Sequence, residues 1–113
     1  MTHSETMFKN ISELEKAVVQ CKKCDRLVSF REKVAKEKRK SYMHWDYWGK
    51  PVPGYGNPNA KIMILGLAPA AHGGNRTGRV FTGDKSAEFL FNCLYHVGLS
   101  NQPNSDHRDD GLE

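Results

Sequence analysis

The stretch Gly66–Asp84, GLAPAAHGGNRTGRVFTGD, constrains this chain more than any other. An apolar run, Ile62-Met63-Ile64-Leu65, leads into it, and a helical pattern over Ser86 to Val97 follows it. A short apolar run bounded by turn formers predicts a buried parallel strand over Ala60–Leu65. The order is then strand, long loop, helix. In an open α/β sheet such a loop leaves the carboxyl end of a strand, where ligands bind. The loop is too rich in Gly and Ala to be held up by its own side chains. Its small residues let backbone N–H and C=O groups approach a ligand closely. Phe81 and Asp84 stand at its far end, a flat apolar face and a carboxylate. A planar polar ligand such as a nucleobase needs both surfaces.

The rest of the composition narrows the class. A length of 113 residues allows one small domain at most. With 27% charged and 38% apolar residues the chain suits a soluble globular protein. No apolar run approaches the roughly 20 residues that span a bilayer. Met1–Glu5 lacks the basic and apolar regions of a signal peptide, so a cytoplasmic location and no membrane contact are expected. The net charge of +4 is concentrated. Lys22, Lys23, Arg26, Arg31, Lys33, Lys36, Lys38, Arg39 and Lys40 are opposed only by Asp25, Glu32 and Glu37. Such clustering favours a polyanionic partner, because each phosphate neutralised releases counterions. A solvated helix face is the other reading.

Along the chain, Ser12 to Gln20 reads as a helix. Ser12 and Glu15 have capping-box spacing, and Ile11, Leu14 and Val18 form a narrow apolar stripe. The helix runs into Cys21-Lys22-Lys23-Cys24, two thiols on one turn. A disulfide does not suit the cytosol. A thioredoxin-like pair should follow a strand rather than a helix. A metal or iron–sulfur site suits thiolates flanked by lysines, but it needs about four ligands. Cys93 shares helical spacing with Phe89, Leu90, Leu94 and Val97 and is expected in the core rather than at a metal. Asp25 to Lys40 continues as a basic helix. The aromatic run Tyr42-Met43-His44-Trp45-Asp46-Tyr47-Trp48 offers either packing or base stacking. Packing is expected for Trp48, while Tyr42 and His44 stay open. Gly49 to Pro58 is turn-forming throughout. Gly98 should end the last helix as its C′ glycine. Composition alone makes the tail from Ser100 to Glu113 a disordered terminus.

The loop GLAPAAHGGNRTGRVFTGD resembles motif 1 of the uracil-DNA glycosylase superfamily, and the family 5 enzymes in particular. Family 4 enzymes usually carry an acidic residue where this chain has Leu67. With Cys21, Cys24 and the PVPGYG segment (usually PVPGFG in the family), the resemblance spans Cys21 to the last residue. It implies a truncated three-layer α/β/α fold around a central parallel sheet. Residues 1–113 would be the N-terminal part of one glycosylase domain. Residues 1–50 would form its helical, cluster-ligand and basic segment, and residues 51–113 the first strand, motif 1 and the following helix. The tail would lead into the next strand.

The same resemblance implies the chemistry. The enzyme would hydrolyse the N-glycosidic bond of uracil, and of other deaminated bases, in double- or single-stranded DNA, to begin base-excision repair. It would act as a monomer when complete. Cys21 and Cys24 would be the first two of four cysteines holding a [4Fe-4S] cluster, the other two lying well downstream of motif 1. Asp84 would position or activate the attacking water, a role that competes with helix N-capping. Phe81 would stack on uracil, and the alternative for it is a core position. Gly66, Ala68, Pro69 and Ala70 would line the pocket with backbone. His72 would donate to the base or bind phosphate, unless it serves the loop itself. Asn75, Arg76 and Arg79 are natural phosphate contacts. The family's motif 2, with its histidine, has no match in His96 or His107. Alone, such a chain is expected to be inactive and poorly stable, with sheet edges exposed. The competing reading is a non-enzymatic nucleic-acid-binding module with a CxxC metal site.

Overall fold

The computed structural model describes residues 7–113; the reading of Met1–Glu5 as free of a signal peptide lies outside them. Four α-helices occupy the described residues: α1 Ile11–Gln20, α2 Asp25–Glu37, α3 Gly74–Thr77 and α4 Lys85–His96. A 3-10 turn, Lys40–Tyr42, lies between α2 and α3. No helix among the described residues is long and apolar enough to cross a membrane.

The start of α1 corrects the expected cap. Asn10, not Ser12, is the N-cap; its side chain accepts the Glu13 N–H at 2.9 Å. The Glu13 carboxylate in turn accepts the Lys9 N–H at 2.9 Å. Asn caps as well as Ser does, and this Asn–Glu pair has the same spacing two residues upstream. The apolar stripe stays lightly covered, with Ile11 44% and Leu14 39% exposed. α1 ends at Cys21 and α2 begins after Cys24, so the two thiols bracket a two-residue link between helices.

α2 packs on α3, and polar bonds hold the pair. Arg31 donates from Nε to the Gly49 carbonyl at 3.3 Å and from Nη2 to that of Cys21 at 3.5 Å. Asn75 Nδ2 donates back to the Arg31 carbonyl at 3.3 Å. The N–H groups of Trp48 and Gly49 close the join on the carbonyls of Arg76 and Asn75, each at 3.1 Å.

The expected strand is absent. Among the described residues no segment pairs with residues 60–65. Ile62 is 67%, Met63 79% and Leu65 88% exposed. A strand ladder needs a neighbour's N–H and C=O groups, and an apolar strand needs a covering layer. Neither is present among the described residues, so the run stays irregular and bare.

α4 begins and ends where the sequence places it. Asp84 is its N-cap. At the far end the Leu99 N–H reaches the Leu94 carbonyl at 2.8 Å and the Gly98 N–H that of Tyr95 at 3.1 Å. That is a Schellman motif, with Gly98 in the left-handed region at φ +81°. Its burial differs from expectation. Ala87 and Phe91, one turn apart, are buried. The wider apolar face lies open, with Phe89 73% and Val97 66% exposed and Cys93 exposed beside them. Cys93 is therefore not a core residue here, because nothing covers its side of the helix.

The tail is ordered rather than loose. Leu112 joins Ala87 and Phe91 as the buried apolar residues, and Ser105 is buried against the Gly66–Asp84 loop. Asn101 fixes the last residues through its N–H to the Glu113 carbonyl at 3.1 Å and its Oδ1 to the Glu113 N–H at 2.7 Å. Most of the remaining interior is polar: Asn75, Arg76, Thr77, Arg79 and Thr82.

Candidate active site

The loop carries its own supports, contrary to the expectation from its Gly and Ala content. Arg76 is 3% exposed. Its Nε donates to the His72 carbonyl at 2.6 Å and its Nη2 to that of Gly83 at 2.7 Å. The guanidinium lies 3.9 Å from the ring centroid of Tyr42 and 4.1 Å from that of Trp45. One side chain thus ties the two ends of the loop together between aromatic faces, an arrangement that suits a planar cation.

Arg79 does the same for the second half. Its Nε donates to Thr82 Oγ1 at 2.9 Å, and its Nη2 to Ser105 Oγ at 3.1 Å and to Asp110 Oδ2 at 2.9 Å. Burial pushes the Asp110 carboxyl up, but the Arg79 bond and the N–H groups of Asp106 and Leu112 outweigh it and bring the pKa to about 2. Tyr55 of the PVPGYG segment lies over the Arg79 guanidinium at 4.9 Å. Burial pushes its phenol up to about 12, with Arg79 opposing and Asp110 adding to the rise.

These bonds engage the expected phosphate contacts internally. Arg76 and Arg79 are buried with their guanidinium groups engaged internally, and Asn75, 6% exposed, holds α2 instead. Asn75 Oδ1 has no hydrogen-bond partner among the described residues. Exposed cations that line clefts beside the loop include Arg39, Lys85 and Arg108. Most of the cluster on and beside α2 faces solvent too: Lys22, Lys23, Arg26, Lys33 and Lys36.

Phe81 takes the left-handed backbone region at φ 50°, rare for an aromatic residue and costing on the order of 1–2 kcal/mol. Ser105 Oγ donates to the Phe81 carbonyl at 2.8 Å and holds it there. The ring is half-buried and lies on Gly66, where an added Cβ would come within 3.1 Å of Cε1 and Cζ.

A cleft of about 730 Å³ opens beside the loop, with Ala70, His72, Gly73 and Asp84 on its wall and Arg39 and Lys85 at its edge. Asp84 divides its oxygens. Oδ1 accepts the Ala87 N–H at 2.8 Å and caps α4. Oδ2 lies over Gly73, where any Cβ would collide with it. His72 Nδ1 meets Tyr47 Oη at 2.8 Å. Burial lowers the His72 pKa below its ordinary value, and the positive charges of Arg39 and Arg76 lower it further. Both effects favour the neutral imidazole over the charged one.

The structure brings Ala70, His72 and Asp84 to one cleft. Phe81 and Gly66 meet each other outside its wall. Gly66, Ala68 and Pro69 are exposed, and Leu67 is fully so. Sequence reasoning missed Tyr47, Ser105 and Asp110. Only the aromatic run and the turn-forming aspartates of the tail hinted at them.

The loop thus presents a carboxylate, an imidazole and bare backbone to one cleft. The profile described as the uracil DNA glycosylase superfamily matches residues 53–109. The chain belongs to the uracil DNA glycosylase superfamily. It is 58% identical over 96 residues to the type-5 uracil-DNA glycosylase of Pyrobaculum aerophilum, covering 85% of this chain and 42% of that protein. It is 52% identical over 103 residues to the type-5 enzyme of Mycobacterium tuberculosis, covering 91% and 38%. The Thermus thermophilus type-5 enzyme is 52% identical over 90 residues, covering 80% and 41%. The chain thus spans about two fifths of the length of these relatives. The superfamily implies an α/β fold, of which the described residues show only the helices.

Cys21 and Cys24 suit part of an iron–sulfur ligand set. They are free thiols, Cys21 half-buried and Cys24 exposed at the start of α2 with no capping bond from its side chain. Among the described residues no group of three or more His, Cys, Asp or Glu converges for a metal ion. Two thiols in a CxxC would supply at most half of a four-thiolate set.

Proposed function

We propose that this chain is the base-recognising N-terminal portion of a uracil-DNA glycosylase that hydrolyses the N-glycosidic bond of uracil in single- or double-stranded DNA and so begins base-excision repair. The observation that carries the proposal is the division of labour at Asp84. One carboxylate oxygen is fixed by the α4 cap while the other stands over Gly73 beside the cleft. A capped carboxylate cannot swing away, so it can direct a water molecule without first being ordered.

The reaction follows from the groups present. The target nucleotide leaves the stack and its base enters the cleft. The C1′–N1 bond breaks, its electron pair goes to the base, and the sugar gains oxocarbenium character. Water held by Asp84 Oδ2 adds its oxygen to C1′ and releases a proton to the carboxylate or to solvent. His72, neutral, donates to a base carbonyl oxygen as negative charge grows there. Phe81 on Gly66 offers the apolar face for the base. Gly66, Ala68, Pro69 and Ala70 contribute backbone. Arg39, Lys85 and the α2 lysines replace Asn75, Arg76 and Arg79 as phosphate contacts. Other deaminated bases fall within the same chemistry.

Cys21 and Cys24 would supply two thiolates of a [4Fe-4S] cluster, which when bound would staple the α1–α2 link to the rest of the domain. The parallel sheet, the motif 2 histidine and the remaining cysteines would come from the portion that the relatives have beyond this match. Residues 1–50 and 51–113 would be parts of one domain, and the complete enzyme a cytoplasmic monomer.

The test compares a full-length protein carrying this segment with its Asp84→Asn variant on uracil-containing oligonucleotides. Excision should fall by roughly 10²–10⁴-fold, and the 113-residue chain alone should release no uracil. Unchanged excision in the variant would sink the role of Asp84. Binding of undamaged DNA without excision or preference for uracil would favour the non-enzymatic module.

A further inference from the structure

The Tyr47–His72 pair carries a consequence for the same site. Tyr47 Oη accepts the Arg39 N–H at 3.2 Å and meets His72 Nδ1 at 2.8 Å. The two rings stand edge to face, 5.8 Å between centroids and 82° between planes. Two tautomers of His72 fit the short contact. If Nδ1 carried the proton, the phenol oxygen would accept twice, and its own O–H would have no partner among the described residues. If the phenol donates, the Arg39 N–H and the Tyr47 O–H are both used, and the donor left over is the imidazole N–H of a residue that lines the cleft, where water or a ligand can take it. A donor left unmatched away from the cleft is costlier, so the second arrangement wins. It leaves Nδ1 as acceptor and puts the imidazole proton on Nε2, which bonds to no protein group among the described residues. His72 lines the cleft and Tyr47 does not.

We propose that Tyr47 is a positioning residue: it fixes His72 as the Nε2–H tautomer, so that the cleft presents a neutral donor to a carbonyl oxygen of an extruded base. The substrate half of this inference rests on the glycosylase reading; the tautomer half does not. The role explains why the pair sits on the Arg39 amide. A phenol anchored on one side by a backbone N–H has one direction left for its proton. The charged groups that share the cleft with His72 are Arg39, Arg76 and Lys85 on the positive side and Asp84, Glu88 and Asp106 on the negative side.

The test reads the tautomer directly, on this chain, by nitrogen-15 NMR of the His72 ring at pH 8 without DNA. The expected pattern is a pyridine-like Nδ1 and a proton-bearing Nε2. Tyr47→Phe keeps the ring contact and removes the O–H; it should mix the tautomers and lose the single pattern. Free uracil should then shift the His72 Nε2 proton in the native chain more than in Tyr47→Phe. A proton on Nδ1 in the native chain overturns the proposal, and so does a Tyr47→Phe spectrum identical to the native one. If Tyr47→Phe does not fold, the native tautomer decides alone. The expected tautomer with no response to uracil would overturn the substrate half only.

Discussion

Two regions of this molecule reverse the usual order of inside and outside. The loop from Gly73 to Asp84 is polar and buried: Arg76, Arg79 and Thr82 are 3%, 6% and 0% exposed. The run before it is apolar and bare, with Met63 79%, Leu65 88% and Leu67 104% exposed. Burying guanidinium groups is expensive unless every donor finds a partner. Arg79 meets Thr82, Ser105 and Asp110, and Arg76 meets two carbonyls between two rings. The loop is complete within this chain because directional bonds made it so. The run before it has no partner here, and hydrophobic burial needs a second surface. A candidate site can therefore be assembled locally while the sheet expected to flank it is not.

The largest break in this comparison should come from Arg79→Met. It leaves Asp110 buried and charged without its cation and strips a donor from Thr82 and Ser105. Losing one partner of a buried pair costs about 3–5 kcal/mol, enough to unfold a small domain with three buried apolar residues among those described. Urea titration of the chain, followed by circular dichroism, measures it. A loss under about 1 kcal/mol would mean that the loop does not depend on this hub.

Acid should cause a smaller version of the same loss. The Asp110 pKa is held at about 2, below its ordinary 3.8. A depressed carboxylate adds stability that is complete above pH 4 and fades as pH falls toward 2. The shift corresponds to on the order of 2 kcal/mol. Asp110→Asn should flatten the stability profile between pH 4 and pH 2. A slope unchanged in that variant would place the acid sensitivity elsewhere.

The smallest effect should be in the bare run. Met63→Thr should alter the stability of this chain by less than about 0.5 kcal/mol, as exposed substitutions do. In a protein that supplies the covering layers, the same change should cost about 2 kcal/mol or more. Equal effects in the two settings would remove the contrast between the regions.

Local rules made part of this legible. Asp84 and Gly98 mark the ends of α4 because a cap and a C′ glycine act within one turn. Asn10 took the place of Ser12 because two cap candidates stood two residues apart, and the sequence alone does not rank them. The arginines were misjudged for a different reason. Charge and polarity place Arg76 and Arg79 at the surface, while the partners that draw Arg79 inside, Ser105 and Asp110, lie 26 and 31 residues away. The strand pattern of Ile62–Leu65 was read correctly as apolar, but burial is a property of two surfaces. Of the candidate site, the resemblance to motif 1 pointed to Asp84, His72 and Phe81. It could not show that Phe81 rests on Gly66 outside the cleft wall, nor that Tyr47 reaches His72 across 25 residues.

Amide hydrogen exchange on the 113-residue chain tests the central contrast most directly. The account predicts slow exchange at Asn75, Thr77, Gly78 and Gly83, whose N–H groups are bonded within the loop or to Ser105, and fast exchange across residues 62–65. Protection over residues 62–65 with an unprotected loop would contradict it.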